Sequence, residues 1–181
     1  SAGIAVINDR KISVERGVGS PANLKSQTQN LLGNIAIGHT RWATHGKATV
    51  DNAHPHMSMS GLFTVVHNGI IENYKELKDN LISQGYTFKS ETDTEVIAHL
   101  LEKNYDGDLK GTVSRVLNQL VGSYALAILC NDYTDTIICA KLSSPLFVGT
   151  SGNCSYVASD VSAVAEKSTR LFRLNDNAIG I

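Results

Sequence analysis

Gly38-His39-Thr40-Arg41-Trp42-Ala43-Thr44-His45-Gly46, followed by Leu62-Phe63-Thr64-Val65-Val66-His67-Asn68-Gly69, is the part of the chain from which the rest can be read. The short apolar run Ile35-Ala36-Ile37 ahead of it predicts a buried strand. After that strand the sequence sets Arg, Trp, Thr and His between two glycines, with no aliphatic side chain to bury. Polar side chains carried on the end of a rigid strand are the usual way to build a site. The second run repeats the plan: Leu62 to Val66 predicts a strand and His67-Asn68-Gly69 interrupts it. Asn-Gly between apolar runs is first of all a hairpin signal, because both residues accept positive φ. The sharper reading is chemical. A side-chain amide and a backbone N–H one residue apart can act as a two-donor oxyanion hole.

The 181 residues fit a single domain, taken as 1–181, large enough to bury a core. A net charge of −1 gives no electrostatic case for nucleic acid or an anionic membrane surface. No apolar run approaches a membrane span, and no signal peptide precedes the first strand. The 3 cysteines are widely spaced without C-x-x-C. Cys130 and Cys139 read as small buried hydrophobes of a reducing compartment, Cys154 as a turn residue, and none as a nucleophile.

In chain order, Gly3 to Asn8 and Lys11 to Val18 predict strands around an Asn8-Asp9 turn. Pro21 to Leu32 predicts a short exposed helix, and Gly46 to Gly61 a loop. Asn73-x-x-Glu76 has the pattern of a capping box, with Tyr74, Leu77 and Leu81 on one helix face and Gly85 as the stop. Ser90-x-x-Asp93 and Thr92-x-x-Glu95 announce a second helix that buries Val96, Ile97, Leu100 and Leu101. A third runs from about Leu109 to Leu120. Beyond Gly122 the pattern turns to strands at hairpin spacing. Strands, clustered helices, then strands predict an α+β domain with mostly antiparallel sheets.

Five of the 6 histidines fall between His39 and His67. His54-x-His56 has the look of a metal pair, but zinc also wants a carboxylate or thiolate and a supporting shell, and only Asp51 is near. Structural or pocket histidines are the favoured reading, with no metal and no cofactor. Arg41, just past a strand in an otherwise uncharged segment, suits a carboxylate clamp, since its fork matches a carboxylate bidentately. Trp42, the sole Trp, is either core or a pocket wall. Asp93 divides evenly between a helix cap and a ligand for a cation. Arg41 with Asp93 would grip the two ends of an α-amino acid, and Asn68 with Gly69 would hold an oxyanion. That set suits acyl transfer on an amino-acid side chain and lacks a nucleophile with a base.

At these residues a resemblance appears. His39 to Gly46, Asn52-Ala53-His54-Pro55-His56, Val65 to Asn73, Ser90 to Glu95, Ser144-Pro145-Leu146 and Ala158-Ser159-Asp160 resemble, in that order, the glutaminase domains of the glucosamine-6-phosphate synthase family, class II glutamine amidotransferases. The resemblance implies an N-terminal-nucleophile hydrolase fold, a four-layer αββα sandwich. In that family an N-terminal Cys attacks the glutamine amide with its own α-amino group as base. By resemblance, Arg41 binds the glutamine carboxylate, Asp93 its ammonium, Asn68 and the Gly69 N–H form the oxyanion hole, and Trp42, Thr44 and His45 belong to the loop that closes over substrate.

The segment carrying the family's Cys is not among these residues, so the chain reads as truncated at its N-terminus and, taken alone, inactive. Ser1 aligns with an interior position and is not promoted to nucleophile. A missing opening strand would leave an unpaired sheet edge. The resemblance also implies L-glutamine and L-glutamate as ligands, and fructose 6-phosphate through sugar isomerase domains that this chain does not include. It further implies a homo-oligomeric native enzyme and a cytoplasmic location. The competing readings are a sister amidotransferase of the amidophosphoribosyltransferase type and a non-catalytic amino-acid-binding module.

Overall fold

The structure, a computed structural model, describes residues 1–41 and 49–181. The chain opens with a hairpin of β1 (Ala2–Asn8) and β2 (Lys11–Gly17), turned by Asp9 and Arg10 at φ 48° and 60°. Two positive φ angles at the centre of a two-residue loop match the twist of the flanking strands. The expected helix after Ser20 is a single 3-10 turn, Pro21–Leu24. Next come β3 (Ile35–Thr40), β4 (His56–Met57) and the long β5 (Phe63–Ile71). Helices α1 (Tyr74–Ser83), α2 (Thr94–Asn104) and α3 (Leu109–Leu117) follow. Strands β6 (Gly122–Cys130), β7 (Tyr133–Leu142), β8 (Phe147–Ser151) and β9 (Cys154–Ala158) lead to a short α4 (Ser162–Ala165), then β10 (Arg170–Arg173) and β11 (Ile179–Gly180).

The strands form a five-stranded sheet, β11-β7-β6-β5-β4, and two three-stranded sheets, β2-β1-β3 and β10-β8-β9, with every strand-to-strand ladder antiparallel. The five-stranded sheet is covered on both faces, which explains why β6 reads as a continuous apolar run. One face sends Phe63, Val65, Leu126 and Ile128 against Val96, Ile97, Leu101, Val113 and Val116 of the helices. The other sends Val66 and Leu129 against Ala5, Ile7, Ile12 and Ile37 of the first small sheet. Ala125 and Cys139 meet Leu146 and Leu174 beside the second. Helices, sheet and a second sheet layer are thus stacked, and the short helical segments Pro21–Leu24 and α4 pack on the small sheets. The expected α+β class and antiparallel pairing are present. Among the described residues β3 pairs with β1 alone and β9 with β8 alone, and both edges line a cavity of about 370 Å³ floored by Val66 and Ala127.

Two expectations are corrected. Asn68-Gly69 is not a hairpin: β5 runs straight through it and pairs with β6 from Phe63↔Cys130 to Ile71↔Gly122. Gly69 has φ +130°, and a Cβ there would lie 2.1 Å from the Ser123 carbonyl oxygen. The glycine is required by close approach of two backbones rather than by a turn. The capping box at Asn73 is also absent. Asn73 occupies the N-cap position of α1 without a side-chain cap, and its amide instead bonds Gln119 O at 2.9 Å and Val121 N at 3.0 Å. It ties the start of α1 to the approach of β6.

Candidate functional site

The sheet ends bring three distant stretches together. His39 and Thr40 close β3 and lead to Arg41; His67, Asn68 and Gly69 lie along β5; Glu91 to Thr94 form the entry to α2. They line one cavity of about 480 Å³, with Tyr74 and Ser123 completing its wall. The described residues expected at the site, Arg41, Asn68, Gly69 and Asp93, therefore share one cavity. Trp42, Thr44 and His45 lie outside the described residues.

Asn68 is exposed to the cavity. Its carboxamide oxygen accepts from His39 Nε2 at 2.7 Å, which leaves the amide nitrogen as the group that can donate to a ligand. Along β5, the His67 N–H donates to His54 Nδ1 at 3.4 Å and the Ile71 N–H to Asp93 Oδ2 at 2.8 Å, both away from β6. The strand's alternation turns the intervening Gly69 N–H to that same side. The Asn68 amide and the Gly69 N–H are thus two donor groups on residues that line the same cavity.

Asp93 sits at the N-cap position of α2, but its side chain makes no cap bond. One carboxylate oxygen holds the Ile71 N–H, and among the described residues the other meets only Thr94 Oγ1, at the long distance of 3.5 Å. A carboxylate has about four acceptor sites, so it retains capacity for a cation in the cavity. Arg41 is fixed through its backbone, whose N–H donates to Ser1 O at 2.7 Å and whose carbonyl accepts from the Ser1 amino group at 3.1 Å. Its guanidinium is a positive neighbour to the histidines behind it.

Those histidines form the back wall. His54 Nδ1 accepts from His67 N, so its Nε2 carries the proton and donates to Thr94 Oγ1 at 3.3 Å. Thr94 in turn donates to His67 Nδ1 at 3.0 Å, and His67 Nε2 donates to Ser123 O at 3.4 Å. Each ring is neutral in this arrangement. Burial agrees, lowering the pKa of His39, His54 and His67 and holding His56 down at about 3. His39 stacks on His54 with ring centres 4.2 Å apart. His56 Nε2 bonds Thr92 Oγ1 at 3.1 Å, and Thr92 bonds Ser90 Oγ at 3.0 Å. Ser90 ends on Glu95, whose carboxylate also takes the N–H groups of Lys89 and Ser90 at 2.9 and 2.7 Å. Burial pushes that carboxyl up, but these donors and the nearby His99 ring outweigh it and hold its pKa at about 2. The Asn52 amide pairs with the backbone and side chain of Glu91 at 2.9 and 3.3 Å, pinning the His54–His56 loop to the Asp93 loop.

His54 and His56 are thus occupied by hydroxyl partners. Among the described residues no group of three or more His, Cys, Asp or Glu side chains is placed to hold a metal ion. Cys130 and Cys139 are buried and free, with thiol pKa values pushed up by burial, and Cys154 is exposed; none lines this cavity. Sequence reasoning gave no individual roles to His39, His67, Thr94 and Glu95. The crowding of histidines between 39 and 67 was the signal for His39 and His67, while Glu95 had entered only as part of a helix-start pattern.

A profile of the glutamine amidotransferase domain family matches residues 39–166. Over the whole chain, the glutamine–fructose-6-phosphate aminotransferase (isomerizing) of Caldanaerobacter subterraneus subsp. tengcongensis is 46% identical, and the chain spans 30% of that protein. The enzymes of the same name from Fusobacterium nucleatum and Aquifex aeolicus are 47% and 45% identical over 99% of the chain, which spans 30% and 31% of their lengths. Among solved structures, glutamine phosphoribosylpyrophosphate amidotransferase from B. subtilis superposes with a TM-score of 0.78 at 28% identity, covering 99% of this chain and 42% of that one. A glutamine aminotransferase class-II domain protein from Silicibacter pomeroyi shares the fold with a TM-score of 0.67 at 18% identity, over 98% of this chain and 84% of that one.

Proposed function

The chain belongs to the glutamine amidotransferase domain family, and from that premise we propose that it is the glutaminase domain of a glutamine–fructose-6-phosphate aminotransferase. The observation that supports the reading is the shared cavity: Asn68 and Gly69 line it together with Arg41 and Asp93. Free glutamine has a carboxylate, an ammonium and a neutral carboxamide. Arg41 would take the carboxylate by a bidentate pair and Asp93 the ammonium. The side-chain carbonyl would then lie at Asn68 and Gly69.

In the reaction a thiolate adds to the amide carbon, and the carbonyl oxygen becomes an oxyanion that the two donors stabilise. The C–N bond breaks, ammonia departs with the proton passed through the base, and water releases glutamate from the thioester. By resemblance the thiol is an N-terminal Cys with its own amino group as base, and Trp42, Thr44 and His45 belong to the loop that closes over substrate. The full natural polypeptide would direct the ammonia to fructose 6-phosphate in its isomerase domains and make glucosamine 6-phosphate, as a cytoplasmic homo-oligomer. Residues 1–181 alone would bind glutamine or glutamate without turnover.

Glutamate release tests this. The full polypeptide should hydrolyse glutamine and the 181-residue polypeptide should not; turnover by the latter would refute the assignment of the nucleophile. A second reading, another class II amidotransferase, is favoured by the similarity to the phosphoribosylpyrophosphate enzyme. Activity of the full polypeptide with phosphoribosylpyrophosphate instead of fructose 6-phosphate would select it.

A further inference from the structure

We propose that His39 is a positioning residue that fixes the orientation of the Asn68 carboxamide, so that its oxygen faces the protein and its nitrogen faces the cavity. The inference rests on the glutaminase reading of the site. Asn68 is exposed, and an exposed carboxamide can rotate by half a turn. The two orientations are opposite in their chemistry. One offers an N–H donor to a developing oxyanion, and the other offers an oxygen lone pair that would repel it. Something behind the side chain must choose between them.

The bond from His39 Nε2 to Asn68 Oδ1, at 2.7 Å, is the side-chain hydrogen bond of Asn68 among the described residues. The donor is itself held in place. His39 is the penultimate residue of β3 and pairs across to Gly3 of β1. Its ring lies on His54 at 4.2 Å with planes 28° apart. His54 is locked in turn by the His67 N–H and Thr94. A chain of fixed groups therefore runs from the sheet interior to the back of the amide. His39 lines the cavity beside Asn68 and spends its Nε2–H on the Asn68 oxygen, so its effect on the reaction would pass through Asn68.

The test combines two substitutions with one spectroscopic measurement. In the full natural polypeptide, His39→Phe keeps an aromatic ring over His54 and removes the donor. It should lower kcat for glutamine hydrolysis by about 10- to 100-fold, less than the ~10²–10³ expected for deleting an oxyanion donor outright, with KM within about threefold. His39→Gln places an N–H near the position of Nε2 and should recover much of that loss. In the unsubstituted 181-residue chain, 15N spectra of His39 should show the proton on Nε2. Four results would each overturn the proposal: kcat within twofold of the parent in His39→Phe, a loss confined to KM, no advantage of Gln over Phe, or a proton on Nδ1. Should His39→Phe fail to fold, His39→Gln and the proton position still decide. Should the unsubstituted full polypeptide not hydrolyse glutamine, the functional reading fails, while the proton position still reports on the bond to Asn68.

Discussion

Removing the Asn68 carboxamide should cost the reaction far more than it costs the fold. Asn68 is exposed on a strand paired to β6 along its whole length, so Asn68→Ala deletes little packing. It does leave the half-buried His39 Nε2–H without its acceptor, a loss of about 1 kcal/mol, the usual net contribution of one hydrogen bond. For a chain of this length that is a fall of roughly 2–4 °C in Tm. On the proposed reading the transition state loses one of two oxyanion donors, which would cost about 2.7–4 kcal/mol, or 10²–10³ in kcat. The ground-state amide gains little from that donor, so KM should move by less than about threefold. The assay is glutamate release by the full polypeptide across glutamine concentrations, beside a thermal unfolding curve of the same variant. A kcat within threefold of the parent would refute the oxyanion role. A raised KM at unchanged kcat would instead make Asn68 a ground-state binding residue.

Gly69→Ala should destabilise the chain by about 1–3 kcal/mol, because φ +130° is unfavourable for alanine and its Cβ would collide with Ser123 O; an unchanged Tm would show that β5 and β6 can separate at no cost. Asp93→Asn keeps an oxygen for the Ile71 N–H but removes the charge, and should weaken glutamate binding by roughly 10- to 150-fold, the equivalent of one charge-assisted bond of about 1.5–3 kcal/mol. Calorimetric titration checks it, and equal affinity would remove Asp93 from the ammonium site. Stability should fall as pH drops from about 6.5 toward 3. His56 has a folded pKa of about 3, below its unfolded value of 6.5, and Glu95 is held at about 2 against 4.5, so the unfolded chain binds more protons through this window. Urea midpoints that stay flat between pH 7 and pH 4 would contradict the buried neutral histidines.

Much of this architecture was legible in the sequence because periodicity and position agreed. Val96, Ile97, Leu100 and Leu101 made one helix face and are buried, and the turn read at Asn8-Asp9 falls one residue later, at Asp9 and Arg10, because Asn8 still pairs with Lys11. Asn68 and Gly69 stood out because they interrupt an apolar run, and Arg41 because its segment is otherwise uncharged, whereas Asp93 divided evenly between a helix cap and a ligand and took a substrate role only from the resemblance. What escaped was long-range. Asn68-Gly69 carries a local turn signature, and only the approach of Ser123, over fifty residues away in the chain, shows why the glycine is needed in a straight strand. Asn73 had the spacing of a capping box, but Gln119 and Val121 offered its amide better partners. The same holds for the back wall. No local pattern links His39 to Asn68, or His54 to Thr94, because those pairs form only when β3, β5 and α2 converge.

The central claim is that this cavity releases ammonia from glutamine for transfer to a sugar phosphate. The most direct measurement supplies the full natural polypeptide with fructose 6-phosphate and glutamine labelled with 15N at the side-chain amide. The account predicts glutamate and glucosamine 6-phosphate in equal amounts, with the label in the amino sugar, and both products formed about 10²–10³ times more slowly in Asn68→Ala. Amino sugar without label, or no glutamate formed at all, would contradict it.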